Sequence, residues 1–495
     1  MNRQIARLGV FALLLVVALI AATTYWQTWA AAGLADRQDN SIQRVAQFKI
    51  KRGLIFASDG KTVLAGRKKK KVSGNTLWFR TYPTHGLAAH VVGYSTIGRS
   101  RAGVERSEND YLTASNGNLN TAFDNTIDRL KGVTVTGNNV VLTLDVKAQK
   151  VAESLLRGKC GAAVALDTRT GAVLAMASTP GYDPSLVENH FEKVQRAPGY
   201  PCKPAAPLLD RATQGLYPPG STFKVVTTVA ALDSGAYRPD STFDDPGYCT
   251  EYGKRISNAG NPEAPETFGH VTLAQGLQHS INSVYCNIGK QIGAGTILRY
   301  AKKFGFYAKP PLETPPSERA ASGLYDHGEL FDPKHPATEV DPGRLAFGQE
   351  RMLVTPLQMA MVAATVAHGG VLMKPQVVKR IESPSGSTIS KLRPDALQRV
   401  MKPKVADEVT AMMESVVTGG TGTAAAIPGV KVAGKTGTAE TGTDNVYVPW
   451  FIAFAPADHP RVAVAVVVEN VYRGFGGSVS APIAKQIMQA ILGSR

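Results

Sequence analysis

The sequence predicts an α+β (α/β) fold: a mostly antiparallel sheet covered by helices, with a helical insertion, behind one apolar helix and a small mixed domain. Three observations lead there. Residues 8–23 carry no charge, and Arg3 and Arg7 precede them. Strand-like runs bracket a long helical middle, at 140–144, 162–166 and 172–177 before it and at 432–440, 450–455 and 462–468 after it. The last run is almost unbroken valine and alanine, as expected of a strand buried on both faces.

The 495 residues suffice for two or three domains. The apolar stretch reads as a single membrane helix with its N-terminus in the cytoplasm and the bulk of the chain outside. Tyr25, Trp26 and Trp29 then mark the outer interface. Ala30-Ala31-Ala32 resembles a cleavage site, so a cleaved signal peptide is the other reading; the length of the apolar run favours the anchor. We divide the chain into a stub and anchor (1–34), an N-terminal spacer (35–140) and a catalytic domain (141–495).

In the spacer, the residues around Leu54-Ile55 and Val63-Leu64-Ala65 read as strands flanking the turn Ser58-Asp59-Gly60. The formal net charge of +16 suits a membrane surface or an anionic polymer such as cell-wall material. No nucleic-acid motif accompanies it. The sharpest basic run, Arg67-Lys68-Lys69-Lys70-Lys71, reads as a solvated loop, with attraction to anionic lipid headgroups as the alternative. Cys160, Cys202, Cys249 and Cys286 allow three disulfide pairings; Cys249 with Cys286 is the expected one, because they flank one segment, and buried free thiols are the alternative. None is spaced as metal ligands are, and no metal is expected.

Further along, Val140–Leu144 reads as a strand and Val146–Leu156 as an amphipathic helix. Residues 162–166 and 172–177 form a hairpin about Asp167-Thr168-Arg169-Thr170-Gly171. Pro218-Pro219-Gly220 breaks the chain, and a buried helix follows, stopped by Gly235. A helix from near Leu273 ends at Ser280, residues 290–304 are helical, and 305–345, rich in proline and charge, are irregular. Thr355-Pro356 opens an apolar helix. Ala406–Val417 forms another, ahead of a flexible Gly419-Gly420-Thr421-Gly422-Thr423 that lacks the lysine and helix of a phosphate loop. Ala481–Leu492 is the closing helix.

The chemistry starts at Ser221-Thr222-Phe223-Lys224. Both side chains lie on one helical face. A serine hydroxyl needs a base, and a lysine serves if burial or nearby positive charge keeps its amine neutral. Alone the spacing is weak, since about one or two chance matches are expected in such a chain, and Ser58-Asp59-Gly60-Lys61 is one that reads as a turn. Two further motifs follow in order, Ser280-Ile281-Asn282 and the single Lys435-Thr436-Gly437.

With these three motifs the sequence resembles the class B penicillin-binding proteins, the monofunctional peptidoglycan D,D-transpeptidases, in their short single-pass form. The resemblance covers nearly the whole chain and includes Arg52-Gly53, Gly103-Val104-Glu105, Leu142-Thr143-Leu144-Asp145, Gly348-Gln349 with Thr355-Pro356-Leu357-Gln358, and Gly476-Gly477. It implies the penicillin-binding transpeptidase/serine β-lactamase-like fold and a stem pentapeptide ending in D-Ala-D-Ala as substrate. Ser221 is then the nucleophile, Lys224 its base and Ser280 the proton relay to the leaving D-alanine. Asn282 holds substrate and positions Lys224, and Lys435 supplies positive charge. Thr436, Gly437 and Thr438 form the wall that binds the substrate carboxylate, and the N–H groups of Ser221 and Thr438 form the oxyanion hole. β-Lactams acylate the same serine, no cofactor is needed, and a separate membrane glycosyltransferase is the implied partner. A D,D-carboxypeptidase or serine β-lactamase, or a non-enzymatic β-lactam sensor or division scaffold, are the alternatives. The Glu-x-x-x-Asn element of class A β-lactamases is missing, since no asparagine lies between Asn287 and Asn445.

Overall fold

The computed structural model describes residues 2–26, 47–72, 74–115, 134–258, 260–261 and 264–493; Trp29 and Ala30-Ala31-Ala32 lie outside these. Helix α1 (Asn2–Tyr25) is long and apolar enough to cross a membrane: its Arg3–Tyr25 stretch has a mean hydropathy of 2.6, and none of it is buried.

The N-terminal sheet begins with β1 (Ile55–Phe56), β2 (Val63–Val72) and β3 (Asn75–Thr81). The Ser58–Lys61 segment is the tight turn between β1 and β2, closed by Gly60 N–H to Ala57 O at 3.0 Å. The basic run 67–71 is not a loop: it is the outer half of β2, paired residue for residue with β3. Lysine disfavours strands intrinsically, but here cross-strand partners from Thr76 to Arg80 override that preference. Beneath this sheet Arg52 is buried. It donates to the Glu105 carboxylate and to Asn109 Oδ1 (2.8 and 2.7 Å), and Arg80 pairs with the same carboxylate. This buried ion-pair cluster gives Arg52 and Glu105 a structural role in the N-terminal part.

Strand β4 (Asn139–Leu142) runs parallel to β1, and Asp145 caps the following α2 (Val146–Leu156) by accepting from Ala148 N–H at 2.9 Å. Next come β5 (Gly161–Asp167) and β6 (Val173–Thr179), the expected hairpin, whose turn is held by Asp167 Oδ1 accepting from the N–H groups of Arg169 and Thr170. The helical middle comprises α3 (Lys224–Asp233), α4 (Leu273–Gln278), α5 (Asn282–Lys303) and α6 (Pro356–Ala367). α5 starts eight residues before the sequence suggests and is kinked at Gly293 (φ 76°). Its first half is rich in Ser, Val, Tyr, Cys and Asn, so burial rather than propensity makes it helical. The stretch 305–345 is less irregular than expected: it holds a hairpin (323–326 with 329–330) and short helical turns, including Pro342–Ala346.

Strands β7 (Val378–Glu382) and β8 (Thr388–Lys391) then return to the N-terminal sheet, which runs β8-β7-β4-β1-β2-β3. The chain finishes with α7 (Pro403–Gly419), β9 (Ala433–Glu440), β10 (Val446–Ala455), β11 (Val462–Val468) and α8 (Gly476–Leu492). The glycine-rich stretch after α7 is not a free loop. Thr421 N–H donates to Gln278 O, and Gly422 N–H to Val416 O. The main sheet is antiparallel throughout, in the order β9-β10-β11-β5-β6. Alternate residues separate onto its two faces. Ala463, Ala465 and Val467 pack with α6, while Val462, Val464 and Val466 pack with α2 and α8. Both faces of β11 are therefore buried, and β9 forms one edge of the sheet beside the helical middle.

All four cysteines are bonded, as Cys160–Cys202 and the expected Cys249–Cys286.

Candidate active site

Ser221 lies in a single 3₁₀ turn (Gly220–Phe223) that feeds straight into α3. The two prolines set the approach. Trp450 Nε1, from the buried centre of β10, donates to Pro218 O at 3.0 Å and anchors it. The turn presses on β9 so closely that a Cβ at Gly437 would meet Pro219 O at 2.8 Å and Thr222 Cγ2 at 2.9 Å. On the opposite side, Gly348 (φ 80°) approaches Gly220 O; a Cβ there would lie 2.3 Å from it, which is the physical content of the Gly348-Gln349 motif. Ser221 is half-buried, and among the described residues its hydroxyl makes no hydrogen bond.

One turn on, Lys224 is fully buried. Its Nζ donates to Ser280 O (2.7 Å) and Asn282 Oδ1 (2.8 Å), with Ser280 Oγ at 3.3 Å, and it sits 5.1 Å from the centre of the Tyr285 ring. Ser280 is held at φ 59°, the left-handed region, in the joint between α4 and α5. That conformation lets its carbonyl and its hydroxyl face the same amine. Asn282 opens α5, and its Nδ2 donates to Ser257 O at 3.0 Å, which leaves Oδ1 facing Lys224. The next residue ties this corner down: Ser283 Oγ donates to buried Asp245, and Ser283 N–H donates to Asn258 Oδ1 at 3.0 Å.

Lys435 enters from β9, also fully buried, and its Nζ donates to Ser280 Oγ at 2.9 Å and Thr436 O at 3.0 Å. The two amines thus share one hydroxyl. Burial, and after it the charge on Lys435, holds the Lys224 amine well below the ordinary lysine range. Burial pulls Lys435 itself down to about 7.

Thr436 and Thr421 join through their hydroxyls at 2.6 Å, and Thr438 Oγ1 accepts from Gly476 N–H at 3.2 Å. The structure thus brings Ser221, Lys224, Ser280, Asn282, Lys435, Thr436, Gly437 and Thr438 to one cleft between the edge of the sheet and the helical middle. Sequence reasoning missed Thr421 and Trp450. Thr421 stands in the glycine cluster read as flexible, and its neighbour across space, Thr436, is the only signal that marks it. His279, next to Ser280 in the chain, stacks on Phe268 with ring centroids 5.2 Å apart.

Two buried lysines thus share one serine hydroxyl beside β9, a largely buried end strand of small residues. The chain belongs to the penicillin-binding protein transpeptidase family, in its class B. The penicillin binding protein transpeptidase domain matches residues 161–489, and the penicillin binding protein A dimerisation domain matches residues 52–140. The particular relatives are of the penicillin-binding protein A kind. The peptidoglycan D,D-transpeptidase PbpA of Mycolicibacterium smegmatis is 34% identical over 99% of both chains, and that of Mycobacterium tuberculosis is likewise 34% identical over 99% of each. Among solved structures, the ceftriaxone acyl-enzyme complex of penicillin-binding protein A from M. tuberculosis superposes with a TM-score of 0.79 at 31% identity, covering 90% of this chain and 100% of that one.

Proposed function

We propose that this chain is a serine-type peptidoglycan D,D-transpeptidase that cross-links stem peptides ending in D-Ala-D-Ala and is acylated by β-lactams at the same serine. The acceptor count around Lys224 carries the reading. Ser280 O and Asn282 Oδ1 can only accept, at 2.7 and 2.8 Å. A neutral amine has two protons, which these two oxygens take, so its lone pair stays open to the hydroxyls beside it, Ser280 Oγ at 3.3 Å and Ser221 one turn back along the chain.

Ser221 Oγ then attacks the carbonyl between the two D-alanines as Lys224 takes its proton. The N–H groups of Ser221 and Thr438 hold the oxyanion. Ser280 receives a hydrogen bond from Lys435, so its own proton is free to pass to the leaving D-alanine nitrogen and be replaced from Lys224. Asn282 orients Lys224 and pairs with the substrate backbone. Lys435, Thr436 and Thr438 receive the terminal carboxylate, and Gly437 keeps the strand close under the serine turn. The open edge of β9 offers the stem peptide a place as one more strand. The amine of a neighbouring stem closes the cycle by attacking the acyl-enzyme, releasing Ser221.

Around this centre we read α1 as an uncleaved anchor with a cytoplasmic N-terminus. Residues 35–140 then form a spacer and 141–495 the catalytic domain outside the membrane. The spacer's sheet is completed by β7 and β8, which come from the catalytic part of the chain. This joins the two through one continuous sheet and supports a role in holding the cleft at a set height. A separate membrane glycosyltransferase supplies the glycan strand; co-purification that disappears when α1 is exchanged for an unrelated helix tests that partner.

The experiment for the reaction offers the full chain a pentapeptide donor and an amine acceptor. Cross-linked product with release of D-alanine is expected from the native chain and neither from Ser221→Ala. Release of D-alanine to water alone would favour a carboxypeptidase, and rescue of a depleted strain by Ser221→Ala would favour a scaffold.

A further inference from the structure

The basic hairpin β2–β3 plays no part in this chemistry. Lys68, Lys69, Lys70 and Lys71 are all exposed, and among the described residues no carboxylate pairs with any of them. Strand geometry spaces successive residues by about 3.3 Å and sends them to alternate faces, so both faces of the hairpin are cationic. Of the four, Lys70 has its Nζ 5.3 Å from the Phe79 ring, and the neighbouring Lys51, outside the hairpin, has its Nζ 5.7 Å from the Trp78 ring. Beyond the lysines the strand ends in an exposed apolar residue, Val72, 43% accessible. β3 is the outermost strand of its sheet, so the hairpin projects from the rim.

We propose that this hairpin is a membrane-contact element that lies on the anionic lipid headgroups of the outer face of the bilayer, Val72 and the aromatic side chains at the interface and the lysines on phosphates. The proposal rests on reading α1 as the anchor, since that helix tethers the hairpin near the surface. Cations with aliphatic stems, aromatic rings and an apolar tip are the side chains that lie well at a bilayer interface. Each lysine near an anionic surface contributes about fivefold in affinity. Four together would set the orientation of the spacer, and with it the direction in which the cleft faces.

The test uses the full chain in lipid nanodiscs. No free cysteine is present, so a single Val72→Cys can be labelled with an environment-sensitive dye. Quenching by spin-labelled headgroups is expected to be at least twofold stronger in discs with anionic lipid than in zwitterionic ones. It should fall to the zwitterionic level in high salt, and also when Lys68, Lys69, Lys70 and Lys71 are all changed to Gln, while penicillin acylation stays unchanged. Equal quenching in both lipids, or no quenching together with retention of the hairpin by anionic wall polymer, would overturn the proposal. Extraction of the chain from the discs by carbonate would remove the anchor reading, and the tether with it.

Discussion

Gly476→Ala asks whether the contact between α8 and the serine turn's supporting strand sets the chemistry. A Cβ at Gly476 would stand 2.2 Å from Trp450 O, 2.4 Å from Gly437 O and 3.0 Å from Gly437 N. All three are backbone atoms of β9 and β10, so no side chain can swing aside. Restoring an ordinary contact of about 3.5 Å requires helix and strand to part by about 1 Å. That displaces Gly437 and Thr438, which pack under Ser221, and a misplacement of about 1 Å costs roughly 10²-fold in rate. Overpacking costs a further 1–3 kcal/mol, roughly, in stability. Helix propensity alone predicts the opposite sign, because Ala in place of Gly in a helix gains up to about 1 kcal/mol. The assay is the second-order rate of acylation by a fluorescent penicillin, read beside thermal unfolding. Gly181→Ala serves as the control, since its Cβ would meet only Ser178 O, at 3.7 Å. Acylation by Gly476→Ala within about threefold of the native rate, with an unchanged or raised melting temperature, would refute the reasoning.

Three other outcomes follow from the same geometry. Lys435→Gln removes the charge that adds to burial in depressing Lys224, so the acidic limb of the pH–acylation profile should move to higher pH; an unmoved limb would contradict the shared-hydroxyl arrangement. Glu108 and Glu318, at the seam between the N-terminal sheet and the catalytic part, are pushed by burial from an ordinary 4.5 up to about 7, with Glu313 adding for Glu108 and Asp210 for Glu318. A carboxyl raised in the folded state contributes stability that is full below its unfolded value and is lost as pH climbs through the folded one. The melting temperature should therefore fall between about pH 4.5 and about pH 7, the window from the unfolded to the folded value, and Glu318→Gln should flatten the fall. Tyr217→Phe deletes a 2.6 Å hydrogen bond to Glu469, whose other partner is Arg211 at 2.7 Å. The loss should be about 1.5–3 kcal/mol in denaturant unfolding, with acylation nearly intact because the ring still packs on Trp450.

The parts of this molecule legible in the sequence are those whose signal is local. β11 declares itself by its valine and alanine, the Ser221 turn by Pro218-Pro219-Gly220, and β9 by the Lys435-Thr436-Gly437 run. What escaped depends on contacts made at long range. The first turns of α5, Asn282 to Asn287, are weak helix formers and become helical where Ser283 is held by the Asp245–Asn258 corner. The lysines of β2 read as loop because only the pairing with β3 makes them a strand. β7 and β8 join β4 and β1 in one sheet although they lie far along the chain, and nothing in either stretch announces the other. Thr421 was hidden for the same reason: its place in the cleft is given by α7 and β9 together, not by its own neighbours.

The most direct test is the intact mass of the full chain after exposure to a labelled penicillin, followed by peptide mapping. One adduct per chain, carried by the peptide that contains Ser221 and absent from Ser221→Ala, is the predicted result. An adduct on any other residue, or one that survives Ser221→Ala, would contradict the account.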